Sequence, residues 1–207
     1  MLNITVLVSG GGTNLQALID AVQDGKITNG RINCVISSKS NAYALKRAEN
    51  SGISGEVVEH KKCSSPYEFE EKIINICEKY NTNLIVLAGF MHILGENFIK
   101  KYSNKIINVH PSLIPAFCGK GFYGLKVHES ALNYGVKISG ATVHFVNEIP
   151  DGGAIILQKS VEIKNNDTPE ILQKRIMQQA EWEILPKAVN LFCNDKIIID
   201  GNKTYLR

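Results

Sequence analysis

Short apolar runs alternating with helix-periodic stretches restrict the fold of this chain more than any other feature. Ile4-Thr5-Val6-Leu7-Val8 is apolar and closed by Ser9-Gly10, the pattern of a buried strand. Behind it Leu15, Leu18, Ile19 and Val22 recur at helical spacing. Residues 32–36 give a second strand, residues 42–50 a helix that stops near Gly52, and residues 56–58 a weak third strand. A helix over 67–80 follows, with Phe69, Ile73, Ile76 and Tyr80 on one stripe. Residues 84–88 and 106–109 read as two more strands. Strands separated by helices imply a parallel sheet with right-handed crossovers. Near-continuous apolar strands suit a sheet covered on both faces.

The second half changes character. Residues 136–146 and 154–163 are long strand-like runs joined by the turn-rich Asn147 to Gly153, which reads as an antiparallel addition. Thr168-Pro169 opens a helix, with Thr168 as N-cap and Pro169 in the first helical position. Pro186 is expected to kink or end that helix. Residues 197–199 and 204–206 form a terminal hairpin around Asp200-Gly201-Asn202. The expected fold is α/β: a Rossmann-like, mostly parallel twisted sheet flanked by helices, with antiparallel strands added in the C-terminal half.

Composition narrows the function classes. In 207 residues, 44% are hydrophobic and 21% charged, enough apolar matter for a sizeable core. A net charge of +3, with no Lys/Arg run, gives no reason to expect nucleic acid as a partner. No apolar run approaches the roughly 20 residues that span a bilayer, and the N-terminus lacks the features of a signal peptide. Cys34, Cys63, Cys77, Cys118 and Cys193 are scattered, with no C-x-x-C pair, which speaks against a disulfide framework and against a zinc site. The expectation is a cytoplasmic protein without a metal.

The first strand runs into Ser9-Gly10-Gly11-Gly12-Thr13-Asn14 and then a helix. Such a turn aims free backbone N–H groups at the helix N-terminus, where the dipole favours an anion, and Thr13 and Asn14 can add side-chain donors. The dinucleotide fingerprint is incomplete, because Leu15 stands where a third glycine belongs and the second strand ends in Ser37-Ser38 without an acidic residue. A Gly-Lys-Ser/Thr sequence is missing as well. A single phosphate fits better than a dinucleotide or ATP; a tight turn that binds nothing is the plain alternative.

Asn108 and His110 lie two apart at the end of a strand, so in extended backbone they project to one face. Ligands of open α/β sheets gather beyond the strand carboxyl ends. An amide and an imidazole there can stabilise an oxyanion. Asp151, between Pro150 and Gly152-Gly153, could pair with His110, orient it and raise its pKa. Each alone is equally a strand-end histidine or a turn aspartate; their combination suggests chemistry. His128 lies in a helix beside Glu129 with no second histidine to form a metal pair, and His144 reads as a core or supporting residue.

Four segments together resemble the folate-dependent formyltransferases: Val8 to Gln16, Leu87 to Met91, Ile107 to Pro115, and Gly140 to Val146 followed by Asp151-Gly152-Gly153. Among these the phosphate loop is most similar to the phosphoribosylglycinamide formyltransferases of purine synthesis. The resemblance implies one formyltransferase domain over 1–207, with a phosphate- or nucleotide-binding half (1–105) and a catalytic and folate-binding half (106–207). It implies that Gly12, Thr13, Asn14 and Glu181 bind glycinamide ribonucleotide. Met91, His92, Ile93, Leu94 and Asn108 would line the site for 10-formyltetrahydrofolate, the co-substrate. Asn108, His110 and Asp151 would be catalytic, through direct amine attack and a tetrahedral intermediate, with His144 and Ser112 in support. A homodimer is compatible with it. His92 stands where many relatives carry Arg, and Pro66 where some do; Lys61 or Lys62 are the cations nearest in sequence to Pro66. A sugar-amine formyltransferase, a formyltetrahydrofolate hydrolase and a non-catalytic nucleotide-binding domain are the alternatives.

Overall fold

A computed structural model describes residues 1–207. Five parallel strands form the centre: β1 (Leu2–Val8), β2 (Gly30–Ser37), β3 (Ser54–Val57), β4 (Leu84–Leu87) and β5 (Ile106–His110). Strands β6 (Ile138–Phe145) and β7 (Ile155–Glu162) add antiparallel to the β5 edge, giving the order β3-β2-β1-β4-β5-β6-β7. A separate hairpin pairs β8 (Ile197–Asp200) with β9 (Lys203–Leu206). The helices are α1 (Thr13–Gln23), α2 (Tyr43–Asn50), α3 (Pro66–Lys79), α4 (Glu96–Lys101), α5 (Leu125–Tyr134), α6 (Pro169–Ile176) and α7 (Trp182–Cys193).

Alternation along the strands builds two apolar layers. Ile4, Val6 and Val8 join Leu84, Val86, Ile107 and Val143 in one cluster, closed by α1 and α7. Leu7 joins Ile36, Ile85, Leu87 and Ile106 in the other, closed by Phe69 and Ile73 of α3 and Phe98 of α4. Both faces of the central strands are covered, which is why β1 and β4 read as near-continuous apolar runs.

Two helices start as their caps dictate. Ser65 accepts from the Glu68 N–H ahead of Pro66, and Thr168 from the Ile171 N–H ahead of Pro169. Pro186 departs from expectation: it neither ends nor interrupts α7, which continues to Cys193. The irregularity lies upstream, as a π-helical turn at Met177–Glu181 between α6 and α7. There the i→i−4 ladder is already displaced, one turn before the residue whose ring removes a donor.

The chain runs outward from β1 to β3, then returns to β4 on the other side of β1. That reversal opens a crevice beyond the carboxyl ends of β1 and β4, where ligands of such sheets bind.

Candidate active site

The crevice is a cavity of about 790 Å³, within the range of small-molecule sites. The loop after β1, residues 10–14, forms one end, and the loop after β4, residues 87–94, one flank. The end of β5 supplies Asn108 and His110, and the turns between β5 and α5 and between β6 and β7 close over it. Residues from both halves of the chain therefore share one space.

At the first end, Gly12 adopts φ 71 and ψ 35, the left-handed region glycine enters without strain. No protein atom accepts a hydrogen bond from the Gly11 or Gly12 N–H. Asn14 is arranged differently from the expectation that its side chain would add an anion donor. Its Nδ2 donates to Glu181 Oε2 at 2.6 Å, and the pair is buried. Burial raises the Glu181 carboxyl to about 7 against the lowering effect of that bond. The π turn carries Glu181 into the cavity. Thr13 Oγ1 contacts only the Met177 sulfur, at 3.7 Å.

The opposite end holds the polar group. Asn108 and His144 are directly paired across β5 and β6, and Asn108 Nδ2 lies 3.2 Å from His144 Nε2. His144 Nδ1 is 2.8 Å from the Phe145 carbonyl. A carbonyl only accepts, so Nδ1 carries a proton, and Nε2 faces both the Asn108 amide and Asp151. Asp151 Oδ2 is 3.5 Å from His110 Nδ1, and Oδ1 is 3.6 Å from His144 Nε2. The Gly119 N–H donates to Asp151 Oδ2 at 2.8 Å. His110 Nε2 donates to the Phe117 carbonyl at 2.9 Å. Asp151 (φ 55) and Phe117 (φ 50) both hold left-handed backbone, a conformation that costs non-glycine residues energy and gathers at functional sites.

His110 differs from expectation in its net shift. Burial lowers its pKa and outweighs Asp151 and the Phe117 carbonyl, which raise it. For Asp151 the balance is reversed. Burial pushes the carboxyl up, but His144, His110 and the Gly119 N–H together hold it below the usual range.

Met91, His92, Ile93 and Leu94 line the flank with Phe90, and the Met91 N–H donates to Ser9 Oγ at 3.0 Å, tying this loop to the end of β1. His92 stacks on His60 with centroids 5.1 Å apart and packs on Phe69 and Phe90. Lys61 and Lys62 do not reach the cavity; Lys62 pairs with Glu59 instead. Ser112 is buried outside it, donating to the Ala116 carbonyl at 2.6 Å. His128, read from the sequence only as a helix residue without a metal partner, lines the cavity from α5. It is 0% exposed with neither ring nitrogen partnered. Burial, and then the charge of His110, push its pKa down to about 4. Its lone position in a helix carried no signal of this.

The sequence model of the family described as "Formyl transferase" matches residues 2–189. The chain belongs to the formyl transferase family. Within that family, phosphoribosylglycinamide formyltransferase of Haemophilus influenzae is 40% identical over 206 residues, covering 100% of this chain and 94% of that protein. The trifunctional purine biosynthetic protein adenosine-3 of Homo sapiens is 40% identical over 199 residues; the match covers 96% of this chain and 19% of that protein. Among solved structures, glycinamide ribonucleotide transformylase 1 from Symbiobacterium toebii superposes with a TM-score of 0.94 at 38% identity, covering 100% of this chain and 94% of that one. A formyltetrahydrofolate deformylase from Pseudomonas syringae shares the family fold at a TM-score of 0.86 and 26% identity, covering 99% of this chain and 65% of that one.

Proposed function

We propose that the protein transfers the formyl group of 10-formyltetrahydrofolate to the amine of 5'-phosphoribosylglycinamide, a step of purine biosynthesis. The observation that carries this is a single cavity with unpartnered backbone N–H groups at one end and the Asn108, His110, Asp151 group at the other. The first end suits the acceptor's phosphate. Its volume and the apolar flank of Phe90, Ile93 and Leu94 fit a flat heteroaromatic donor.

The folate supplies the formyl carbon, carried on N10. Asn14 and Glu181 hold the acceptor's sugar beside the loop, and residues 91–94 with Asn108 orient the donor. As the acceptor nitrogen bonds to the formyl carbon, negative charge grows on the formyl oxygen. The Asn108 amide is the donor for it, and a protonated His110, its Nε2–H held on the Phe117 carbonyl, adds positive charge beside it. Asp151 and His144 fix the imidazole and amide in place, and the Asp151 charge favours a protonated His110 as the oxyanion develops. The proton lost by the acceptor nitrogen reaches N10 through His110 or ordered water, and the bond from carbon to N10 breaks. The small molecules are the only partners this requires; a cytoplasmic setting and a homodimer are compatible with it. No helix is long and apolar enough to cross a membrane.

An assay with both substrates, following deformylated folate and formylated amine together, tests the proposal. Equal amounts of the two products, with none formed when the amine is omitted, are expected. Folate deformylation that continues without the amine would make the protein a hydrolase instead.

A further inference from the structure

The loop that presents the N–H groups is held from behind. Its carbonyls at Gly10 and Gly11 turn away from the cavity and are taken by α2. The Ala44 N–H, free because it lies in the first turn of α2, donates to the Gly10 carbonyl at 3.1 Å. Arg47, one turn on, donates from Nε to the Gly11 carbonyl at 2.8 Å and from Nη1 to Gln16 Oε1 at 3.0 Å. Its guanidinium lies 5.0 Å from the Tyr43 ring centroid, which limits its swing. Arg47 does not line the cavity; it lines a separate groove on the outer side, with Gln16 and Asp20.

A trans peptide points its C=O and its N–H in opposite directions. Fixing the Gly10 carbonyl on α2 therefore turns the Gly11 N–H the other way, and fixing the Gly11 carbonyl does the same for Gly12. Neither of these N–H groups has a protein acceptor. Successive N–H groups converging beside a left-handed residue form an anion-binding concavity. The contact is close: a Cβ on Gly12 would lie 2.7 Å from the Ala44 Cβ and 3.5 Å from the Arg47 Cδ.

We infer that Arg47 is a positioning residue for anion binding: with Ala44 it clamps the Gly10 and Gly11 carbonyls outward, so that the loop's N–H groups are preset for the phosphate of the acceptor. This rests on the phosphate reading of the loop under Proposed function and goes beyond it by naming what sets the loop. The guanidinium works through the backbone, so its loss affects phosphorylated ligands selectively.

Calorimetric titration of ribose 5-phosphate and of unphosphorylated ribose into the whole protein tests this without turnover. Wild type is expected to bind ribose 5-phosphate more tightly than ribose. Arg47→Met, which keeps the stem over Tyr43 and removes both donors, is expected to weaken ribose 5-phosphate by about tenfold or more, leaving ribose and folate affinities unmoved. Arg47→Gln serves equally should Arg47→Met fail to fold, judged by its melting temperature. Wild-type affinity for ribose 5-phosphate in a folded variant overturns the clamp. A wild type that binds both sugars alike overturns the phosphate reading beneath it, and the clamp with it.

Discussion

Asp151 shows what a single side chain does here. Its carboxylate faces His110 and His144 from a turn between β6 and β7, held by the Gly119 N–H. It raises the His110 pKa, yet burial wins and the net shift is downward. Removing the carboxylate deletes the opposing influence. In Asp151→Asn the His110 imidazole should therefore titrate at still lower pH than in wild type, as followed by its ring proton NMR signals. A titration that stays where it was would show that the carboxylate does not act on His110. The residues of this group were legible in the sequence because two sit two apart at a strand end and the third precedes Gly-Gly. The sign of the His110 shift was not, because burial depends on packing from remote elements. His128 was read only as a helix residue without a metal partner, and Arg47 not at all: one lies within an ordinary amphipathic helix, and the other acts on backbone carbonyls, which leave no trace in a side-chain pattern.

At the scale of elements, the joint between β6 and β7 aims Asp151. The pairing of these strands shifts register between Val143 and His144, and the Phe145 N–H donates to the Ala154 carbonyl at 2.9 Å. Gly153 lies so close to the neighbouring strand that a Cβ there would meet the Phe145 carbonyl oxygen at 1.9 Å. Gly153→Ala should force the joint apart, lower stability by about 1–3 kcal/mol and reduce turnover by displacing Asp151. Thermal melting together with steady-state rates checks this, and an unchanged melt with full turnover would refute it. The central strands were legible because each is buried on two faces, β1 and β4 most completely. The run from α6 to α7 was misjudged at Pro186 because a π turn has no composition of its own. Proline announces a missing donor but does not say whether the ladder has already been rearranged nearby.

For the molecule as a whole, a mostly parallel sheet covered on both faces, with antiparallel strands added late, followed from alternation and apolar runs; the strand order did not. The bond between Asn14 and Glu181, 167 residues apart, left no pattern in the residues either. Burial raises the Glu181 carboxyl from an ordinary 4.5 to about 7, and this has a thermodynamic consequence. Below pH 4.5 folded and unfolded chains both hold that proton. Between pH 4.5 and about 7 only the folded chain holds it, so its contribution to stability declines as pH rises through that window. The decline amounts to on the order of 3 kcal/mol. Denaturant unfolding from pH 4.5 to 8 should show wild type losing stability relative to Glu181→Gln by that order, and parallel profiles would mean that the carboxyl is not held protonated.

The bond from Asn14 to Glu181 also has a meaning for biogenesis. A polypeptide emerging from the ribosome makes its anion turn 167 residues before the carboxyl that braces it. Until α7 docks, the apolar side of α1 is covered by the sheet but lacks that helix, and a nascent chain stalled before residue 181 presents a half-built pocket. Competence to bind the acceptor therefore waits for residue 181, and ligand affinity can serve as a proofreader's mark that synthesis has passed the turn that carries it.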